Sequence, residues 1–236
     1  MSAPLKRHAE LESLFGSDFL PLSKTPAFAT PSAGVASARP SPPGPKIDHW
    51  GWPAEYLALR GEALGCRNCG LCGTRTQVVF GVGRLDAPLL FVGEAPGADE
   101  DAQGEPFVGK AGQLLTRTLA KHGVPREKVH IANILKCRPP GNRTPAPEEM
   151  LACLPWLKRQ IEFIRPKVLC ALGNIAAQTL LETKTGITRL RGKYAEGLGR
   201  KIFPTFHPAY ILRNMGDLPL FEADVLQVCR DAGLAT

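Results

Sequence analysis

The stretch APLLFVGEAPG, residues 87–97, decides the fold. Its apolar run, Leu89 to Val92, ends in a loop of Gly and Pro. A short apolar run bounded by such turn signals reads as a buried strand. The segment that follows, GKAGQLLTRTLAKHG (109–123), changes period. Leu114, Leu115 and Leu119 fall on one helical face, and Gly123 supplies a stop. The alternation then repeats. KVHIANI (128–134), KVLCALG (167–173) and RKIFPTFHPAY (200–210) read as strands, the last ending in a loop. TPAPEEMLACLPWLKRQIEFI (144–164), NIAAQTLLE (174–182) and LFEADVLQVCRDAGL (220–234) read as helices. The 144–164 helix is expected to take Thr144 as its cap and Pro147 in its first turn. Strands alternating with helices imply a parallel sheet covered on both faces. Chemistry in such sheets sits at the carboxyl ends of the strands. GEAPG, NILKC and HPAY all fall there.

Upstream of this pattern the composition changes. Residues 25–46 hold six prolines among Ala, Ser, Thr and Gly, which sustain neither helix nor sheet. We read 1–47 as a flexible tail and 48–236 as the folded domain. Within the tail, Leu11, Phe15 and Phe19 recur at four-residue spacing, and Ser13 to Phe15 (SLF) weakly resembles the core of sliding-clamp motifs. A docking peptide for a sliding clamp or another partner is the sharper reading of that stretch; incidental apolar residues are the plainer one. The chain of 236 residues carries a formal charge of +7 and a pI of about 9.2. The tail contributes five basic residues against three acids, so most of the excess belongs to the domain. A basic balance suits an anionic partner such as nucleic acid. The N-terminus has no secretory pattern, and no run reaches membrane-span length, so a cytoplasmic monomer with no membrane attachment is expected.

Seven cysteines in that setting suggest metal or iron–sulfur ligation rather than disulfides. Cys66, Cys69 and Cys72 form CRNCGLC. Cys137 follows a strand end and Cys153 lies in the next helix. The spacing C-x2-C…C-x15-C supplies four thiolates, enough for tetrahedral zinc or a cubane cluster. Spacing alone does not choose between them. Cys170 and Cys229 sit in apolar runs and read as core. Cys72 reads as a bystander thiol.

The glycines of GEAPGADEDAQGEPFVGKAGQLL permit close backbone approach to a ligand, but the pattern matches neither the P-loop nor the dinucleotide fingerprint. Phe107 in this loop reads as packing or as a stacking platform for a base. Asn133 and His207 end strands. An Asn there caps a turn or reads a base edge; a lone His is usually structural.

Taken in order, CRNCGLC, GEAPGADEDAQGEPFVGKAGQLL, NILKCRPPGNRTP and FHPAYILR closely resemble the family 4 uracil-DNA glycosylases, from about Cys66 to Arg213. The resemblance implies a three-layer α/β/α sandwich around a four-stranded parallel sheet, and a [4Fe–4S] cluster. It implies cluster ligands at Cys66, Cys69, Cys137 and Cys153. It implies Phe107 stacking on flipped uracil, Asn133 reading its edge and His207 donating to uracil O2. Gly93, Glu94, Ala95 and Gly97 fall in the pocket loop. Related families place a water-activating Asp where this chain has Ala95, so Glu94, Glu100 and Asn142 become the candidates for handling water. Gly97 stands where some families place a blocking Tyr. Ile211 or Leu212 is expected to wedge into the base stack and Arg213 to hold phosphate. The implied reaction is repair: hydrolysis of the N-glycosidic bond of uracil in single- or double-stranded DNA. Alternative readings are a glycosylase of broader base choice, such as hypoxanthine or xanthine, a uracil-DNA binder that does not turn over, and a zinc-dependent structural module.

Overall fold

The computed structural model describes residues 50–236. The proposed tail boundary and the SLF stretch lie outside them. The described chain begins with α1 (Ala54–Leu64), then β1 (Leu89–Gly93), α2 (Ala98–Gln103), α3 (Lys110–Lys121) and β2 (His130–Asn133). It continues through α4 (Pro147–Ile164), β3 (Val168–Leu172), α5 (Asn174–Leu181) and α6 (Ile187–Leu190). Strands β4 (Ala195–Gly197) and β5 (Arg200–Thr205) follow, then α7 (Pro208–Ile211) and α8 (Leu218–Asp231).

The strands form one sheet in the order β2-β1-β3-β5-β4. The four strands expected from the sequence run parallel, and every residue of β1, β2 and β3 is buried. The sheet nevertheless has a fifth strand. Short β4 pairs antiparallel with β5 at the edge. Its three residues, Ala-Glu-Gly, are too few and too polar to show a strand period.

Alternate strand residues face opposite layers, so Leu89 and Phe91 of β1 join Leu115 and Leu119 of α3 and Val225 and Val228 of α8 in one core. The opposite face carries α5, which packs on β1, β3 and β5. Helix α4 lies on that side too, where Met150 accepts a hydrogen bond from Thr179 of α5. A smaller core of Trp52, Tyr56, Leu59, Ala63 and Phe80 seats α1. Two sequence expectations change here. Helix α1 was not foreseen. The residue capping α4 is Ala146 rather than Thr144, because Glu149 in the first turn accepts the Ala146 N–H at 2.8 Å and pairs with Arg143. Among the described residues no helix is long and apolar enough to cross a membrane.

The chain leaves β1 for β2 on one side and resumes at β3 on the other. The loops after β1 and β3 therefore diverge, which opens a crevice at the carboxyl end of the sheet. Register sets Gly93 beside Asn133 at that end.

Candidate active site

The crevice is a cleft of about 420 Å³. Its floor is Gly93. A Cβ there would overlap the Asn133 Oδ1 and stand 2.6 Å from Phe107 Cζ, so only a bare Cα lets both side chains meet. Asn133 is 1% exposed, and its Oδ1 is buried with no hydrogen-bond partner. A buried acceptor left without a donor costs about 1–3 kcal/mol.

Phe107 sits in the left-handed region at φ 56° and is buried. Two features hold it in that conformation. Gly112 in the first turn of α3 leaves room for the Phe107 carbonyl, which any Cβ would overlap. Glu100 ties the loop from both ends: Oε2 accepts the Gly97 N–H at 3.0 Å, and Oε1 accepts Val108 N–H at 3.0 Å and Gly109 N–H at 2.9 Å. The Glu100 carboxylate lines the cleft but is spent on backbone, so the geometry makes it a loop fastener rather than a handler of water.

Glu94 is different. It lines the same cleft, and its carboxylate has no hydrogen-bond partner among the described residues. Burial pushes its pKa above the ordinary carboxylate value. Asn142 stands at the rim in a 3-10 turn, its Oδ1 accepting Arg138 Nε–H at 2.7 Å. Ala95 and Gly97 line the wall.

His207 caps α7. Its Nδ1 accepts the Ala209 N–H at 3.1 Å, so the neutral ring carries its proton on Nε2. Burial, helped by the nearby Arg213 charge, lowers its pKa to about 4. The ring lies 5.6 Å from that of Phe107, tilted by 36°.

The loop after His207 corrects one expectation. Ile211 is fully buried in the core beneath α7. It cannot wedge into a base stack without unpacking that core. Leu212, one position on, is 38% exposed, and Arg213 is exposed and lines the cleft. Sequence reasoning also missed Arg143 and Tyr210, both in the cleft wall. Arg143 is held by a bidentate pair with Glu149, at 2.6 and 2.8 Å. Tyr210 stacks on Phe206 at 4.9 Å and donates to Asp217 at 2.7 Å. Their signals were present in GNRTP and HPAY, but nothing local distinguished them from neighbouring residues.

A second feature lies behind Asn133. Cys66, Cys69, Cys72, Cys137 and Cys153 all line one small cavity, with Arg75, Lys136 and Trp156. Arg75 Nη1 donates to Cys137 Sγ and the Lys136 backbone N–H to Cys153 Sγ, each at 3.2 Å. Burial raises the pKa of Cys69 and Cys137, and pushes that of Cys153 up to about 12. The thiols ring the cavity without meeting at a point: among the described residues, no three His, Cys, Asp or Glu side chains are spaced to hold a single metal ion. Cys170 and Cys229 are fully buried in the sheet core, apart from this cavity.

The family model described as the uracil DNA glycosylase superfamily matches residues 80–231. The type-4 uracil-DNA glycosylase of Thermotoga maritima is 52% identical over 151 residues, which span 63% of this chain and 79% of that protein. The type-4 uracil-DNA glycosylase of Archaeoglobus fulgidus is 50% identical over 175 residues, spanning 71% of this chain and 88% of its own. A type-5 uracil-DNA glycosylase of Pyrobaculum aerophilum is more distant, at 31% over 170 residues, 64% of this chain and 75% of that one. Identity this high runs through the strand ends that build the cleft, and the chain accordingly belongs to the uracil DNA glycosylase superfamily, in its type-4 branch, as a DNA repair enzyme that excises uracil.

Proposed function

We propose that a uracil flipped out of DNA is held and cut in the cleft at the carboxyl end of the sheet, and that the orphaned Asn133 Oδ1 is the group that reads it. The carrying observation is that buried acceptor without a donor. Uracil N3–H supplies the missing donor, and the other half of the amide can donate to uracil O4. Phe107 stacks on the base, which is worth about 1–3 kcal/mol. His207 Nε2–H donates to O2. As the C1′–N1 bond breaks, uracil gains negative charge, and a donor fixed in a dry site strengthens with it. Glu94, the cleft acid with no protein partner, orients water toward C1′ and offsets the sugar's cationic character. Water adds to C1′, its proton passes to the Glu94 carboxylate, and uracil leaves as the N1 anion. Asn142 supports that water from the rim. Leu212 fills the gap left in the stack, and Arg213 and Arg143 hold phosphates. Residues 1–47 are read as a tail separate from the catalytic domain, on their composition alone.

The base-reading role is tested by release of free base from oligonucleotides holding U, T, hypoxanthine or xanthine. Uracil alone should be released by the wild type. Asn133→Asp puts an acceptor where O4 needs a donor, and should erode that preference by about 1–3 kcal/mol, the worth of a bidentate base contact. Unchanged selectivity and rate would move the base to another site.

The cysteine-lined cavity supports a [4Fe–4S] cluster held by Cys66, Cys69, Cys137 and Cys153. The donor set is all sulfur, N–H groups point at two of the sulfurs, and the thiols are spread too widely for one ion. The cluster would supply cross-linking rather than redox chemistry, tying the Cys66 segment to the β2 end and α4. Each of the four should be required for the brown chromophore of anaerobically purified protein. Cys170→Ala and Cys229→Ala should keep it. A Cys137→Ala protein with full iron and sulfide would overturn the ligand assignment.

A further inference from the structure

Lys136 is a charged side chain in an apolar place. It is 2% exposed and lies 6.0 Å above the Phe80 ring. Its Nζ donates to the Asn133 carbonyl at 2.8 Å and to Gln160 Oε1 at 2.5 Å, both neutral acceptors. Its own backbone N–H donates to Cys153 Sγ. Lysines are almost never fully buried unless paired, and neutral acceptors alone do not offset the desolvation of an ammonium. No carboxylate is among its partners in the described residues. The groups whose charge reaches it are the Cys153 and Cys137 sulfurs, with the His130 ring as a further neighbour. It also lines the cysteine cavity. The buried cation thus lacks an anion unless those sulfurs are thiolates holding a bound group.

We propose that Lys136 is the buried counter-ion of the thiolate-bound group, and the positioning residue that fastens the peptide of Asn133 to it. The argument rests on the iron–sulfur reading above. One ammonium spans the two sites: its charge answers the thiolates, and its proton fixes the carbonyl of the residue that reads the base. An electron added to the cluster is stabilised by a cation beside it, so Lys136 also sets the reduction potential.

The test uses the full chain purified without oxygen. Wild type is first assayed for iron and sulfide; protein with neither defeats the iron–sulfur reading, and this proposal with it. In loaded protein, Lys136→Met keeps the bulk of the stem and removes the charge. Its iron affinity in chelator competition should fall about 10- to 100-fold, and the reduction potential should move to more negative values. Gln160→Glu sets a carboxylate against the same Nζ and should move the potential the same way. A side chain that merely holds the fold would change thermal stability and leave the potential alone. Lys136→Met with wild-type iron retention and wild-type potential overturns the proposal. Should Lys136→Met fail to fold, an unshifted potential in Gln160→Glu overturns it instead.

Discussion

His207→Ala should cleave uracil-containing DNA about 100- to 1000-fold more slowly than wild type in single turnover, the usual loss for one donor at a developing anion. DNA affinity should change little, because phosphate contacts supply most of it. Ring geometry sharpens the expectation. The neutral imidazole already presents Nε2–H to the cleft, because Nδ1 is occupied by the Ala209 N–H. Ionisation near the ordinary value of 6.5 should therefore leave no mark on the rate, since the native pKa is about 4. For stability the sign is the depressed-histidine one. The unfolded chain takes up this proton first, so the contribution of neutral His207 is intact above 6.5 and is lost as the pH falls toward 4. Glu94 acts earlier on the acid side. Burial raises its pKa, so its carboxylate is lost at a higher pH than an exposed one. The acid limb of the single-turnover rate should lie above 4.5 and disappear in Glu94→Gln. A stable His207→Ala protein with the wild-type rate would end the catalytic assignment.

Gly93→Ala should cost at least about 100-fold in excision, although it adds one methyl. Misplacing a reacting group by about 1 Å is enough for that loss. The new Cβ overlaps Asn133 Oδ1 and the Phe107 ring together, so the base reader and the stacking platform must separate. The strand itself is not strained, since the position needs no left-handed backbone. Circular dichroism should stay native while base release collapses. Near-wild-type release by Gly93→Ala would show that the two side chains need not meet over the floor.

Much of the site was legible because strand ends are legible. Apolar runs stopped by Gly or Pro located β1, β2, β3 and β5, and with them Asn133 and His207. What stayed hidden depends on partners. An acid in a glycine loop looks the same whether it faces water or, like Glu100, three backbone N–H groups. A one-turn helix gives no phase, so Ile211 and Leu212 were indistinguishable until α7 turned one inward. Lys136, beside a cysteine and charged, reads as surface, yet it is among the most buried large side chains. Helix α1 left a trace in the spacing of Tyr56, Leu59 and Ala63, diluted by Gly61 and by charged residues.

Strand order carries a consequence for how the protein is made. The cysteine cavity is complete in sequence by Cys153, whereas His207 follows β5, about 50 residues later. Chains grow at about 5–20 residues per second, so that interval is a few seconds on the ribosome. A nascent or truncated chain can gather its thiols while the β3 edge that receives β5 is still open. The donor that drives cleavage arrives only with that last parallel strand. Unfinished copies of this enzyme are thus unable to scar DNA, since the capacity to cut is encoded near the end of the message.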